Sequence, residues 1–285
     1  MRSELAELWK FRSLLLQLVR RDLKVRYKNS RLGFLWSIAP PLMQVAVITF
    51  AFKSATNFAT GIDNYSAFVL VAMIPWTYFQ AAILDSSQSI LLMYGVIKKV
   101  YLPREIIPLS TAISNFIHFL LSWAVFAVYW WGFKRGPILI TTFWFPYLLL
   151  CQFMLVTGLS LFVSALNVFY EDVKYMVTIA MNLFLFLLPI MYLVETVVYK
   201  SSFGSGSFAT RPWAVTLYLL NPLTALINGF RKSLLESPSP KAIGGHEYLP
   251  LDVPTLILTG FISFAVLVAG YAYFNSRKWQ FVERP

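Results

Sequence analysis

Apolar positions in this chain come first at helical spacing and then in long, nearly charge-free runs. From Ser3 to about Lys28, Leu5, Leu8, Phe11, Leu15, Leu18 and Val19 fall near one face, with Lys10, Arg20, Lys24 and Lys28 largely off it. That spacing predicts an amphipathic helix lying at a membrane interface. Within residues 20–42, RRDLKVRYKNSRLGFLWSIAPPL, dense positive charge gives way to none, the pattern of a chain leaving an anionic surface for hydrocarbon. The runs that follow predict six spans, near residues 32–52, 64–85, 106–133, 146–167, 175–194 and 253–276, each near the ~20 residues a helix needs to cross a bilayer.

Punctuation between the runs fits this plan. Pro40 and Pro41 should kink or divide the first span. Asp85 ends the second; Lys134 and Arg135 mark a turn after the third; Glu171, Asp172 and Lys174 form a tight loop between the fourth and fifth. Between Glu195 and Leu249 the chain turns to Gly, Ser, Pro and scattered charge, yet residues 212–230 stay semi-apolar. A re-entrant or interface-lying pair of helices fits that segment, because non-helical backbone at membrane depth must be shielded by protein. The expected fold is all-α, with an interface helix over residues 1–31 and a six-helix membrane domain over residues 32–285.

Composition agrees: 58% of the chain is hydrophobic and 13% charged, against roughly a quarter charged in a soluble domain. The net charge of +11 lies beside apolar runs without a nucleic-acid fingerprint, so anionic lipid headgroups explain it and no nucleic-acid partner is expected. With six spans, 16 Lys and Arg fall on the side of the N-terminus and 8 on the other, five of those in the long loop. Both termini are therefore expected in the cytoplasm. No cleavable signal peptide is visible, and Cys151, the only cysteine, cannot form an intrachain disulfide.

Chemistry-bearing residues are sparse. Asp85 and His118 are the only ionisable candidates within or beside the spans, and each reads equally as a packed or headgroup-facing side chain. No GxxxxGK[ST] loop occurs, and the GSG at residues 204–206 has no strand before it, so ATP is not bound by that device. HExxH and paired-cysteine spacings are missing; neither a metal site nor a catalytic residue is expected. Aromatics make up 17% of the chain. Some, with Trp76, Tyr78 and Phe79 of the second span as candidates beside Asp85, are expected to line a path for sugars, whose apolar faces stack on aromatic rings; the alternative is membrane-interface belts.

Three segments carry a family resemblance: residues 20–42, YLPREIIPLS at 101–110, and LNPLTALINGFR at 220–231. Together with the six-run plan they resemble the membrane subunits of type-2 ABC exporters that move lipid-linked polysaccharides, namely O-antigen, capsule and teichoic-acid permeases. The resemblance implies a homodimer in the bacterial cytoplasmic membrane, two separate ATPase subunits carrying ATP and Mg, and a lipid-linked glycan as cargo. It also implies a segment that couples to the ATPase, with Tyr94, Tyr101, Leu102, Pro103, Arg104 and Glu105, and a second contact at Glu171 and Asp172. Arg20, Arg21, Lys24 and Arg26 would receive the cargo pyrophosphate or hold lipid headgroups; Trp213, Tyr218, Asn221 and Asn228 would belong to an outer gate. Two other functions remain open from sequence: export of drugs or small lipids on the same scaffold, and an integral transferase acting on lipid-linked sugars.

Overall fold

The computed structural model describes residues 8–27, 35–55, 62, 64–99, 102–199, 218–238 and 248–282, and every regular element among them is helical. In chain order these are α1 (Arg12–Tyr27), α2 (Leu35–Ala55), α3 (Tyr65–Leu92), a single turn α4 (Tyr94–Ile97) and α5 (Ile106–Ala127), which runs on through a π-helical turn, Val128–Phe133. A 3-10 turn, Ile140–Trp144, leads into α6 (Phe145–Phe169). Then come α7 (Val173–Leu187), α8 (Val194–Tyr199), α9 (Pro222–Leu234) and α10 (Val253–Arg277), closed by a 3-10 turn, Lys278–Val282.

Four helical stretches are long and apolar enough to cross a bilayer: Tyr65–Leu92, Ile106–Phe133, Ile140–Phe169 and Val253–Phe281. Shorter apolar stretches, Leu42–Ala51 and Val173–Leu187, fall in the first and fifth runs. Several ends differ from the sequence reading. Helix α3 continues past Asp85 to Leu92, since one carboxylate does not interrupt a backbone ladder. Helix α7 stops at Leu187, short of the expected 194. Helix α2 passes through Pro40 and Pro41. Their missing amide protons would have bonded the carbonyls of Trp36 and Ser37, so the loss falls on the first turn.

Helix α3 is the axis of the bundle. Its side chains are buried on all sides, including Val69, Val71, Ala72, Trp76, Phe79 and Ala82, as expected of a helix that is apolar all round. Pro75 sits inside it, and buried Gln152 of α6 donates from Nε2 to the Pro75 carbonyl at 3.2 Å. An aromatic seam joins α3 to α5, α6 and α9: Tyr78 stacks on Phe119 with centroids 4.7 Å apart, and Trp123 meets both Phe145 and Phe230 at 5.0 Å.

Helices α6 and α10 touch backbone to backbone where Gly158 and Gly270 meet. A Cβ on Gly270 would strike the Gly158 carbonyl, and one on Gly158 would lie 2.6 Å from the backbone of Leu267. Outward, Met43, Val47 and Phe50 of α2 and Met176, Ile179, Leu183 and Phe186 of α7 are exposed. Only hydrocarbon or another apolar surface would accept such faces.

Candidate functional site

Polar chemistry gathers at the two ends of the bundle. At the end carrying α1, that helix lays Leu18 and Val19 inward. Two turns on, Arg26 Nη2 donates to Asp85 Oδ2 at 2.6 Å and Nη1 to Asn115 Oδ1 at 3.1 Å. Asn115 Nδ2 closes the triangle on Asp85 at 3.0 Å, and His118 lies one turn further along α5. Arg21 bonds its neighbour Asp22 at 2.7 Å and reaches Met93 Sδ. Of the four cations expected to serve one entrance, Arg20 and Lys24 are exposed, while Arg21 and Arg26 hold α1 to the α3–α4 junction and to α3.

The segment between α3 and α5 divides likewise. Tyr94 is half-buried, with Lys98 Nζ 4.4 Å from its ring centroid, whereas Leu102, Pro103 and Glu105 are buried. Arg104 is half-buried, and burial lowers its pKa from the ordinary value despite the adjacent Glu105. Tyr101 lies outside the described residues. Glu171 and Asp172 are exposed between α6 and α7, in a turn tied by Asn167 Oδ1, which accepts from the Lys174 amide at 3.0 Å.

At the opposite end, helix α9 is built for a buried position. Asn221 caps it, its Oδ1 accepting from the Leu223 amide at 3.0 Å, and Pro222 occupies the first helical position, where no amide proton is missed. This orients Arg231, fully buried, into the core. Its guanidinium donates to the carbonyls of Phe68 (3.2 Å), Tyr192 (3.2 Å), Pro189 and Ile190, and its carbon lies 3.5 Å from the Phe68 ring centroid. Burial pulls its pKa down to about 10, so it is charged at neutral pH.

Residues 188–193 explain this arrangement. Helix α7 has ended, so its last carbonyls and those beyond have no helical donors, and a cation there also suits the negative end of the helix dipole. Nearby, Lys232 pairs with Glu195 at 2.9 Å with both side chains buried, and Tyr65 donates to the Met191 carbonyl at 2.9 Å. Tyr218, an expected gate residue, bonds Tyr192 hydroxyl to hydroxyl at 3.0 Å. Asn228 is half-buried on α9, and Trp213 lies outside the described residues.

Trp76, Tyr78 and Phe79 are packed inside the protomer, 2–4% exposed, and so line no surface of it; a charge-free run looks the same in sequence whether it meets lipid or core. Arg231, Lys232 and Glu195 were missed as a group. The only hint was an Arg-Lys pair closing the semi-apolar LNPLTALINGFR segment. Among the described residues no group of three His, Cys, Asp or Glu side chains could hold a metal ion.

These features define a multi-pass helical membrane protein with polar clusters at its two ends. The chain belongs to the ABC-2 type transporter family, whose profile matches residues 13–235. It is 30% identical over 270 residues to two O-antigen export system permease proteins RfbA of Klebsiella pneumoniae, covering 95% of this chain and 94% of each of those. To the RfbA protein of Myxococcus xanthus it is 26% identical over 277 residues, 97% of either chain.

Proposed function

We propose that this chain is the permease subunit of an ATP-driven exporter that moves lipid-linked polysaccharide, O-antigen above all, across the bacterial cytoplasmic membrane. The observation that carries the reading is the 30% identity, over nearly its whole length, to O-antigen export permeases. In this reading two copies pair, and two separate ATPase subunits supply ATP and Mg. Six helices cross: α2, α3, α5, α6, α7 and α10. Both termini are cytoplasmic; residues 1–31 lie along the inner surface, and residues 32–285 form the membrane domain.

Helix α7, about 22 Å long at 1.5 Å per residue, falls short of the ~30 Å hydrocarbon core. Residues 189–193 complete the crossing outside the helix, and the donors from Arg231 make that tolerable. With Tyr218, Asn221, Asn228 and Trp213, that cluster forms the outer gate. Alternating pressure from the ATPases enters at Tyr94–Glu105 and at Glu171 and Asp172. Exposed Arg20 and Lys24 meet the cargo pyrophosphate or lipid headgroups, while Arg21 and Arg26 hold the interface helix in place.

Reconstitution tests the reading. Proteoliposomes holding this chain and its ATPase should move lipid-linked glycan only when ATP is present. ATP hydrolysis with no glycan movement would refute it.

A further inference from the structure

The C-terminal turn is bound to the segment that precedes α5. Lys278 Nζ lies 3.4 Å from Glu105 Oε1, with the two side chains 8% and 2% exposed. The next residues reinforce the contact. The Arg104 guanidinium stands 6.0 Å from the Trp279 ring centroid and 5.9 Å from that of Phe281, within cation–π range. Phe281 is fully buried, in one cluster with Ile90, Ile97, Leu102, Ile107 and Leu161.

These contacts make the turn a junction of five elements: the end of α3, the α4 turn, the start of α5, α6 and α10 itself. A buried ion pair resists separation because either partner alone would be left as an uncompensated charge. Displacing residues 94–105 therefore drags the turn and, through it, α10. Helix α10 is in turn seated on α6 at Gly158 and Gly270, where no side chain separates the backbones.

We infer that Glu105 and Lys278 are positioning residues for transport: their clasp carries motion of the coupling segment into the α6–α10 pair. This rests on the proposed function, in which the ATPases push on that segment. It gives the last turn of the chain a mechanical role that its sequence, an Arg-Lys-Trp flank after a span, does not suggest.

The test uses the full chain in complex with its ATPase, in proteoliposomes, and reads glycan exported per ATP hydrolysed. Glu105→Gln and Lys278→Met should each lower that ratio severalfold while hydrolysis continues. The exchange of both charges, Glu105→Lys with Lys278→Glu, should recover much of it. An unchanged ratio in the single variants would overturn the inference, as would parallel loss of export and hydrolysis. Phe281→Leu, which keeps the site filled but loses the aromatic contacts, gives the same reading from a milder change. A second arm needs no cargo. With spin labels on Gly95→Cys and Ser276→Cys, the two positions should move together on ATP binding in the wild-type background and apart with Lys278→Met. Independent motion in both backgrounds would sink the clasp, whereas failure of glycan movement alone would sink only the reading of function.

Discussion

At the scale of single residues, Arg231 makes the most demanding arrangement. An orphaned buried carbonyl costs about 1–3 kcal/mol, and Arg231 serves three of them, at Pro189, Ile190 and Tyr192, besides the helical carbonyl of Phe68. Arg231→Met is expected to lower the thermal midpoint of the detergent-solubilised protein sharply. Arg231→Lys should recover only part, because an ammonium lacks the planar fork; equal midpoints for the two variants would contradict this account. Asn221→Ala should cost about 1 kcal/mol through the lost cap, seen as faster hydrogen exchange in the first turn of α9. The Arg26–Asp85 pair is a milder case. Its side chains are 39% and 41% exposed, so a double-mutant cycle is expected to return a coupling of roughly 0.2–1 kcal/mol. None of these pairings was legible in the sequence. Periodicity assigns a residue to a face, but Arg231 and Phe68 stand 163 positions apart, and nothing in a one-dimensional pattern joins them.

Elements were more legible than partners. Charge-free runs announced α3, α5, α6 and α10, because a bilayer-spanning helix must be apolar for about 20 residues. The asparagine and proline at residues 221–222 that start α9 were read only as part of a broken, semi-apolar segment, although their order suits a helix N-terminus. The end of α7 was overlooked: Pro189 disfavours helix at the residue before it, but residues 188–193 are as apolar as the helix before them, and donors supplied from α9 meet the carbonyls that leave the helix there. Packing between elements supplies a further test. Gly158→Val forces the α6 and α10 backbones apart and should destabilise the protein by about 1–3 kcal/mol or more, as overpacking does. Gly95→Ala, with no atom within 4 Å of its new Cβ, is the matched control and should leave the stability within about 0.5 kcal/mol of wild type.

For the whole molecule, membrane class and family plan were readable from composition and three segments, while the division of labour among the cations was not. Arg21 and Arg26 looked equivalent to Arg20 and Lys24 until α1 was placed against α3 and α5. This difference has an observable consequence for the assembled exporter. Reversing charge at Arg20 and Lys24 should alter glycan export with little change in protein yield, whereas reversal at Arg26 should lower yield as well, by setting two carboxylates face to face at Asp85. Quantifying membrane-inserted protein alongside export separates the two.

The hold of Arg231 on residues 189–192 also bears on biogenesis. Its guanidinium lies 42 residues downstream of Pro189, an interval of about 2–8 s at 5–20 residues synthesised per second. In the proposed topology α7 spends that interval in the membrane with the carbonyls of Pro189, Ile190 and Tyr192 not yet met by Arg231. The nascent chain therefore has a vulnerable window that closes only when α9 docks, and a chain cut short before residue 231 is expected to be recognised and degraded by membrane quality control rather than to persist as a stable fragment.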